Sequence, residues 1–113
     1  MRTEVIENEV VNQIVKSKKF LALSLEGKLS CAVSGLCEEA GEVAGLLNRE
    51  VYKQNDVPYF RWVEELGDVL WYVVAVASLK GITLEEIFDH NTYKLQKRYG
   101  ESYGNSENRN PSS

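Results

Sequence analysis

Between Tyr59 and Leu79 the chain reads YFRWVEELGDVLWYVVAVASL, and this stretch decides the fold. Its second half, Tyr72 to Leu79, is apolar almost all round, and a helix with no polar face must be covered on every side. The first half is different. Turning about 100° per residue, Glu65 and Asp68 share one angular sector with Tyr72, Val76 and Leu79. Two carboxylates therefore begin a stripe that is apolar, and so inside, a turn or two later.

Upstream, the stretch from about Lys28 to Lys53 carries Leu29, Ala32, Val33, Leu36, Ala40, Val43, Ala44 and Leu47 on one side, which predicts a second long helix. Gln54-Asn55-Asp56-Val57-Pro58 separates the two, with Asp56 as a candidate cap and Pro58 compatible only with a first helical turn. Nearer the N-terminus, Val5, Ile6, Val10, Ile14 and Val15 recur at helical spacing and predict an amphipathic helix from Glu4 to about Ser17. After Leu79, Gly81 is a stop signal, and Thr83-Leu84-Glu85-Glu86 has the capping-box pattern that opens a helix from about Leu84 to Tyr99. The segment from Glu101 to Ser113 has one aromatic and no periodicity, and reads as a disordered tail. With no strand signal, repeat or interdomain linker, the predicted fold is all-α, a four-helix bundle formed by residues 1–100.

A chain of 113 residues fits one domain with a thin stability margin, so association with further copies is expected. The formal net charge of -4 and pI near 5.0 argue against duplex nucleic acid as a partner, since phosphate-backbone surfaces need clustered Lys and Arg. A small anion held through a bound cation remains open. Cys31 and Cys37 lie six apart in one helix, too misdirected to bridge, and read as reduced packing residues of a cytoplasmic protein. No apolar run approaches the roughly 20 residues of a membrane span, so a membrane partner is not expected.

The chemistry concentrates in two acidic motifs, Glu38-Glu39-Ala40-Gly41-Glu42 and Glu64-Glu65-Leu66-Gly67-Asp68. Each pairs two carboxylates at i,i+3 on adjoining turns of a helix. Glu39 borders the apolar stripe of its helix, Glu42 lies further round near Leu46, and Glu38 turns to the opposite, solvent side. Acids aimed inward repel one another and resist desolvation unless a cation lies between them. Carboxylates without His or Cys favour Mg²⁺ or Mn²⁺ over Zn²⁺, and carboxylate-held Mg²⁺ usually serves phosphate oxygens. Gly41 and Gly67, one in each motif, suit a close approach of the two helices or of a ligand, with ordinary packing the alternative. Asn91, Lys94 and Arg98 form one polar stripe on the last helix, a solvated face on its own and a phosphate clamp beside a metal.

Taken in order, Glu-Glu-x-x-Glu, 22 intervening residues, Glu-x-x-Asp and then Asn-x-x-Lys-x-x-x-Arg-Tyr resemble the MazG-like branch of the all-α nucleoside triphosphate pyrophosphohydrolases. Dimeric dUTPases and dCTP pyrophosphatases are also related to that branch. The resemblance runs from about Leu29 to Tyr99. It implies that Glu39, Glu42, Glu65 and Asp68 ligate Mg²⁺, with Mn²⁺ as a substitute. It further implies that Asn91, Lys94 and Arg98 bind the nucleotide, and that Glu38, Glu39 and Glu42 are the catalytic acids, Glu38 sitting near the metal or assisting the water. The implied reaction splits a nucleoside triphosphate at the α–β bond into a nucleoside monophosphate and pyrophosphate, in a homodimer or homotetramer.

Trp62, Trp71, Tyr72 and Phe60 are candidates for stacking on the base, with core packing the competing role for each. The lone His90 has no Glu-x-x-His context and reads as a surface or packing residue, which also excludes a di-iron carboxylate bundle. Two alternatives stay open: a nucleotide- and metal-binding regulatory protein without turnover, and a helical oligomer whose acids only solubilise it.

Overall fold

The computed structural model describes residues 2–100. The tail from Glu101 to Ser113, expected to be disordered, lies outside the described residues. Among the described residues there are five helices and no strand: α1 (Thr3–Ile14), α2 (Lys18–Leu21), α3 (Leu25–Val51), α4 (Tyr59–Leu79) and α5 (Leu84–Tyr99). The all-helical prediction and the four long helices hold. The short α2 is new, and α3 starts three residues earlier than expected.

Both differences come from serines. Ser17 Oγ accepts from Phe20 N–H at 3.3 Å and starts α2, while Ser24 Oγ accepts from Gly27 N–H at 3.1 Å and starts α3. Asp56 does not cap α4; the N-cap position is Pro58, directly before the first helical residue. Gly81, at φ +69°, ends α4, and the Ile82 N–H reaches back to the Ala77 carbonyl at 2.8 Å. The expected capping box is formed, with Thr83 Oγ1 accepting from Glu86 N–H at 3.0 Å and Glu86 Oε1 accepting from Thr83 N–H at 3.1 Å.

The centre of the molecule is the antiparallel pair α3 and α4, tied near its turn by Trp62 Nε1–H donating to Glu50 Oε1 at 3.1 Å. The side of α3 that meets α4 carries Ala32, Gly35, Leu36, Glu39, Val43 and Leu46, and Glu39 is part of that face. Gly35 lies directly under the Tyr72 ring, where a methyl group would collide with it. Gly41 and Gly67 have open space beside them, so neither brings the two helices together.

Helix α1 covers α4 on one flank, placing Val10 in the core with Ala32, Val74 and Ala75. The predicted all-round burial of the second half of α4 largely holds: Val74, Ala75 and Ala77 are buried, and of that half Ser78 alone is fully exposed. Helix α5 leaves α4 at a 103° bend and meets α1, where Glu7 Oε2 accepts from Leu84 N–H at 2.9 Å. No single described helix is long and apolar enough to cross a membrane.

The expected four-helix arrangement is not closed among the described residues of the chain. The predicted apolar stripe of α3 splits in two: Ala32, Leu36 and Val43 face α4 together with the fully buried Leu46, which that stripe did not include, whereas Val33, Ala40, Ala44 and Leu47 turn away and are exposed. On α4, Val63 and Leu66 are likewise exposed, while Leu70 borders a cavity with Val5, Ile6 and Val10 of α1. Because the helices are antiparallel, these two stripes lie on the same side of the hairpin, opposite the α1 and α2 layer. The large side chains of this face, Val33, Leu47, Val63 and Leu66, are each 45–53% exposed.

Candidate metal centre

Glu39 on α3 and Glu65 and Asp68 on α4 converge across the helix pair, each offering an oxygen within 4.8 Å of the others. Antiparallel packing produces this meeting. The face that aligns Gly35 with Tyr72 also puts Glu39, one turn after Gly35, beside Asp68, one turn before Tyr72. Glu65 is only 8% exposed, Glu39 half-buried and Asp68 open to solvent.

Partial burial raises the Glu39 carboxyl above the ordinary carboxylate range, and the negative charges of Asp68, Glu65 and Glu38, with a hydrogen bond to Glu65, push it the same way. Each cause disfavours the ionised acid. Arg61, one turn before Glu65, answers part of this charge with its guanidinium at 3.5 Å from Glu65 Oε1. The sequence reading missed Arg61, although Arg-x-x-x-Glu at i,i+4 on one helix was a usable signal.

Three of the four predicted metal ligands are thus brought together. The fourth, Glu42, one turn further along α3, is exposed and stands outside the group. Glu38 is exposed, as its place on the helix wheel predicts, but its charge still reaches Glu39. Asn91 and Lys94 are exposed on α5, and Arg98 is half-buried with its guanidinium 5.8 Å from the Tyr99 ring centre. Lys94 and Arg98 line a cavity of α5 together with His90, Tyr93 and Lys97, whereas the cleft at the acids is lined by Gln13, Glu39, Asp68, Trp71 and Tyr72. The structure does not bring the α5 stripe into that cleft.

Of the base-stacking candidates, Trp71 and Tyr72 border the acids, packed edge to face with centroids 5.1 Å apart. Trp62 is occupied with Glu50, and Phe60 is exposed at the start of α4. Cys31 and Cys37 are both free thiols, as predicted, but both are exposed rather than packed.

The model of the MazG nucleotide pyrophosphohydrolase domain fits residues 29–102. The chain belongs to this family. The MazG domain match takes in α3 from Leu29 onward, α4 and α5, and so every residue of the acid group. The Gene 37 protein of Mycobacterium phage L5 is 35% identical, over 76% of this chain and 80% of its own length. No solved structure gives a significant match.

Proposed function

We propose that this MazG domain is a Mg²⁺-dependent hydrolase that cleaves nucleoside triphosphates at the α–β bond, releasing a nucleoside monophosphate and pyrophosphate. The observation that carries this is the convergence of Glu39, Glu65 and Asp68 from two helices, with no His or Cys among them. The donor set fits a hard cation. In an octahedral Mg²⁺ site no two ligand oxygens lie more than about 4.2 Å apart, so a spread of up to 4.8 Å asks only for small side-chain rotations. The raised Glu39 carboxyl supports the same conclusion, because acids that resist ionising together are relieved by a cation placed between them.

In this reading Glu39, Glu65 and Asp68 hold the ion, with Mn²⁺ as a substitute, and the exposed Glu42 joins them by rotating its side chain. When bound, the cation neutralises the triphosphate and lowers the pKa of an attacking water. Glu38 or Glu42 accepts the proton of that water, which attacks the α phosphorus in line with the departing pyrophosphate. Arg61 keeps the Glu65 carboxylate oriented. Asn91, Lys94 and Arg98 are assigned to the phosphates on the strength of their motif. The substrates are deoxynucleotides or aberrant nucleotides, and the protein acts in the cytoplasm.

Residues 1–100 form the working unit, since α1 contributes Gln13 to the cleft. A homodimer or homotetramer is expected, because a second copy laid on the Val33, Leu47, Val63 and Leu66 face would complete a four-helix core.

The test is to incubate the purified protein with a panel of nucleoside triphosphates and Mg²⁺ and to separate the products by ion exchange. Monophosphate and pyrophosphate that disappear with EDTA support the proposal. Diphosphate and orthophosphate would mean that a different bond is cleaved. Nucleotide binding without any product would leave a regulatory binding protein.

A further inference from the structure

We propose, resting on the reading above, that the cavity behind Trp71 receives the nucleobase and that Gln13 selects which base enters. Two cavities share Gln13, Trp71 and Tyr72 as a common wall. One is the cleft holding Glu39 and Asp68. The other is a chamber of about 210 Å³ that reaches inward between α1, α2, α3 and α4, where Ile14, Ser17, Phe20, Cys31, Ala32 and Ala75 complete the lining. A nucleotide whose phosphates lie at the acids has this chamber within the reach of its sugar.

The chamber suits a flat ring. At about 210 Å³ it falls below the roughly 300–1,000 Å³ of sites for larger organic ligands, and its walls offer the aromatic side chains Phe20, Trp71 and Tyr72. Phe20 is there because of α2, the short helix started by Ser17.

Gln13 supplies the discrimination. Its Oε1 accepts the Trp71 indole N–H, and its Nε2 donates to Glu9 Oε1 at 3.3 Å on the same helix. An indole can only donate, so chemistry itself sets which end of the amide faces Trp71. The amide keeps one further N–H and one further lone pair; every base carries an acceptor beside a donor, but their order reverses between cytosine and thymine and between adenine and guanine, so an amide with its ends fixed pairs with one order. A polar group held at both ends discriminates strongly, because a base with the wrong edge leaves it unpaired.

The test uses the four deoxynucleoside triphosphates with an α,β-imido bridge, which bind without being cleaved, in the presence of Mg²⁺. Binding is followed by calorimetry and by fluorescence in a Trp62→Phe background, where Trp71 is the remaining indole of the two in the chain. The expected result is a Trp71 signal on binding, affinities that differ among the bases, and a spread reduced at least about 10-fold in Gln13→Met. Phe20→Ala should weaken all four analogues while preserving their order. The assignment is overturned if the analogues bind with Trp71 silent, if the parent binds all four alike, or if Gln13→Met keeps the full spread. If no analogue binds the parent at all, the nucleotide reading itself fails, and the chamber assignment goes with it.

Discussion

At Glu39 and Gly35 the sequence departs from what a simple packed helix would choose. Glu39 occupies the face of α3 that meets α4, and its carboxyl is raised first by burial and then by Asp68, Glu65 and Glu38. Its folded-state pKa lies above the unfolded one, so its stabilising contribution is fully present below the unfolded value and is lost as pH rises through the folded one. The metal-free protein should therefore lose stability as pH climbs out of the carboxylate range. Glu39→Gln removes the titrating group, so in EDTA it should melt higher than the parent at neutral pH and lose that advantage in acid. A variant that melts lower at neutral pH would contradict the assignment. Gly35 has the opposite role, since its missing side chain admits the Tyr72 ring. Gly35→Ala overfills that contact and should cost about 1–3 kcal/mol of unfolding free energy, measured by denaturant titration.

Among the elements, the caps decide the boundaries. Thr83 and Glu86 satisfy each other's backbone N–H groups, so Thr83→Ala should cost about 1 kcal/mol. Hydrogen exchange should place the loss in α5. What was legible beforehand follows the same physics. α4 and α5 were readable to the residue because Pro58, Gly81 and the capping box leave local marks. The extra helix α2 was not, because four residues are too few for a periodicity and only its Ser17 cap advertises it. The acids were legible as i,i+3 pairs, but three of the four meet, since whether Glu42 follows Glu39 inward depends on how α3 is rotated against α4. Gln13 carried no signal at all: it is an exposed polar residue on an amphipathic helix, and only the placement of α1 beside Trp71 brings it to the cleft.

The whole molecule has an unfinished surface. The buried apolar side chains among the described residues are Val10, Ala32, Leu46, Val74, Ala75 and Ala77, a small core for a chain whose α3 and α4 leave one joint apolar side exposed. Leu66 lies near the middle of that side, so Leu66→Lys should shift sedimentation toward the monomer and lower the melting temperature in a concentration-dependent way. Sedimentation unchanged by this substitution would mean that copies do not meet through this face.

Central to the proposed function is a divalent cation held jointly by Glu39, Glu65 and Asp68. Titrating Mn²⁺ into the nucleotide-free protein while following the electron paramagnetic resonance signal of the free ion tests it without any assumption about substrate. Saturable loss of that signal is expected in the parent, with affinity weakened by about 10-fold or more in Glu39→Gln, Glu65→Gln and Asp68→Asn and the exposed Glu4→Gln as an unaffected control. Parent protein that leaves the signal intact, or Glu65→Gln that binds as tightly as the parent, would contradict it.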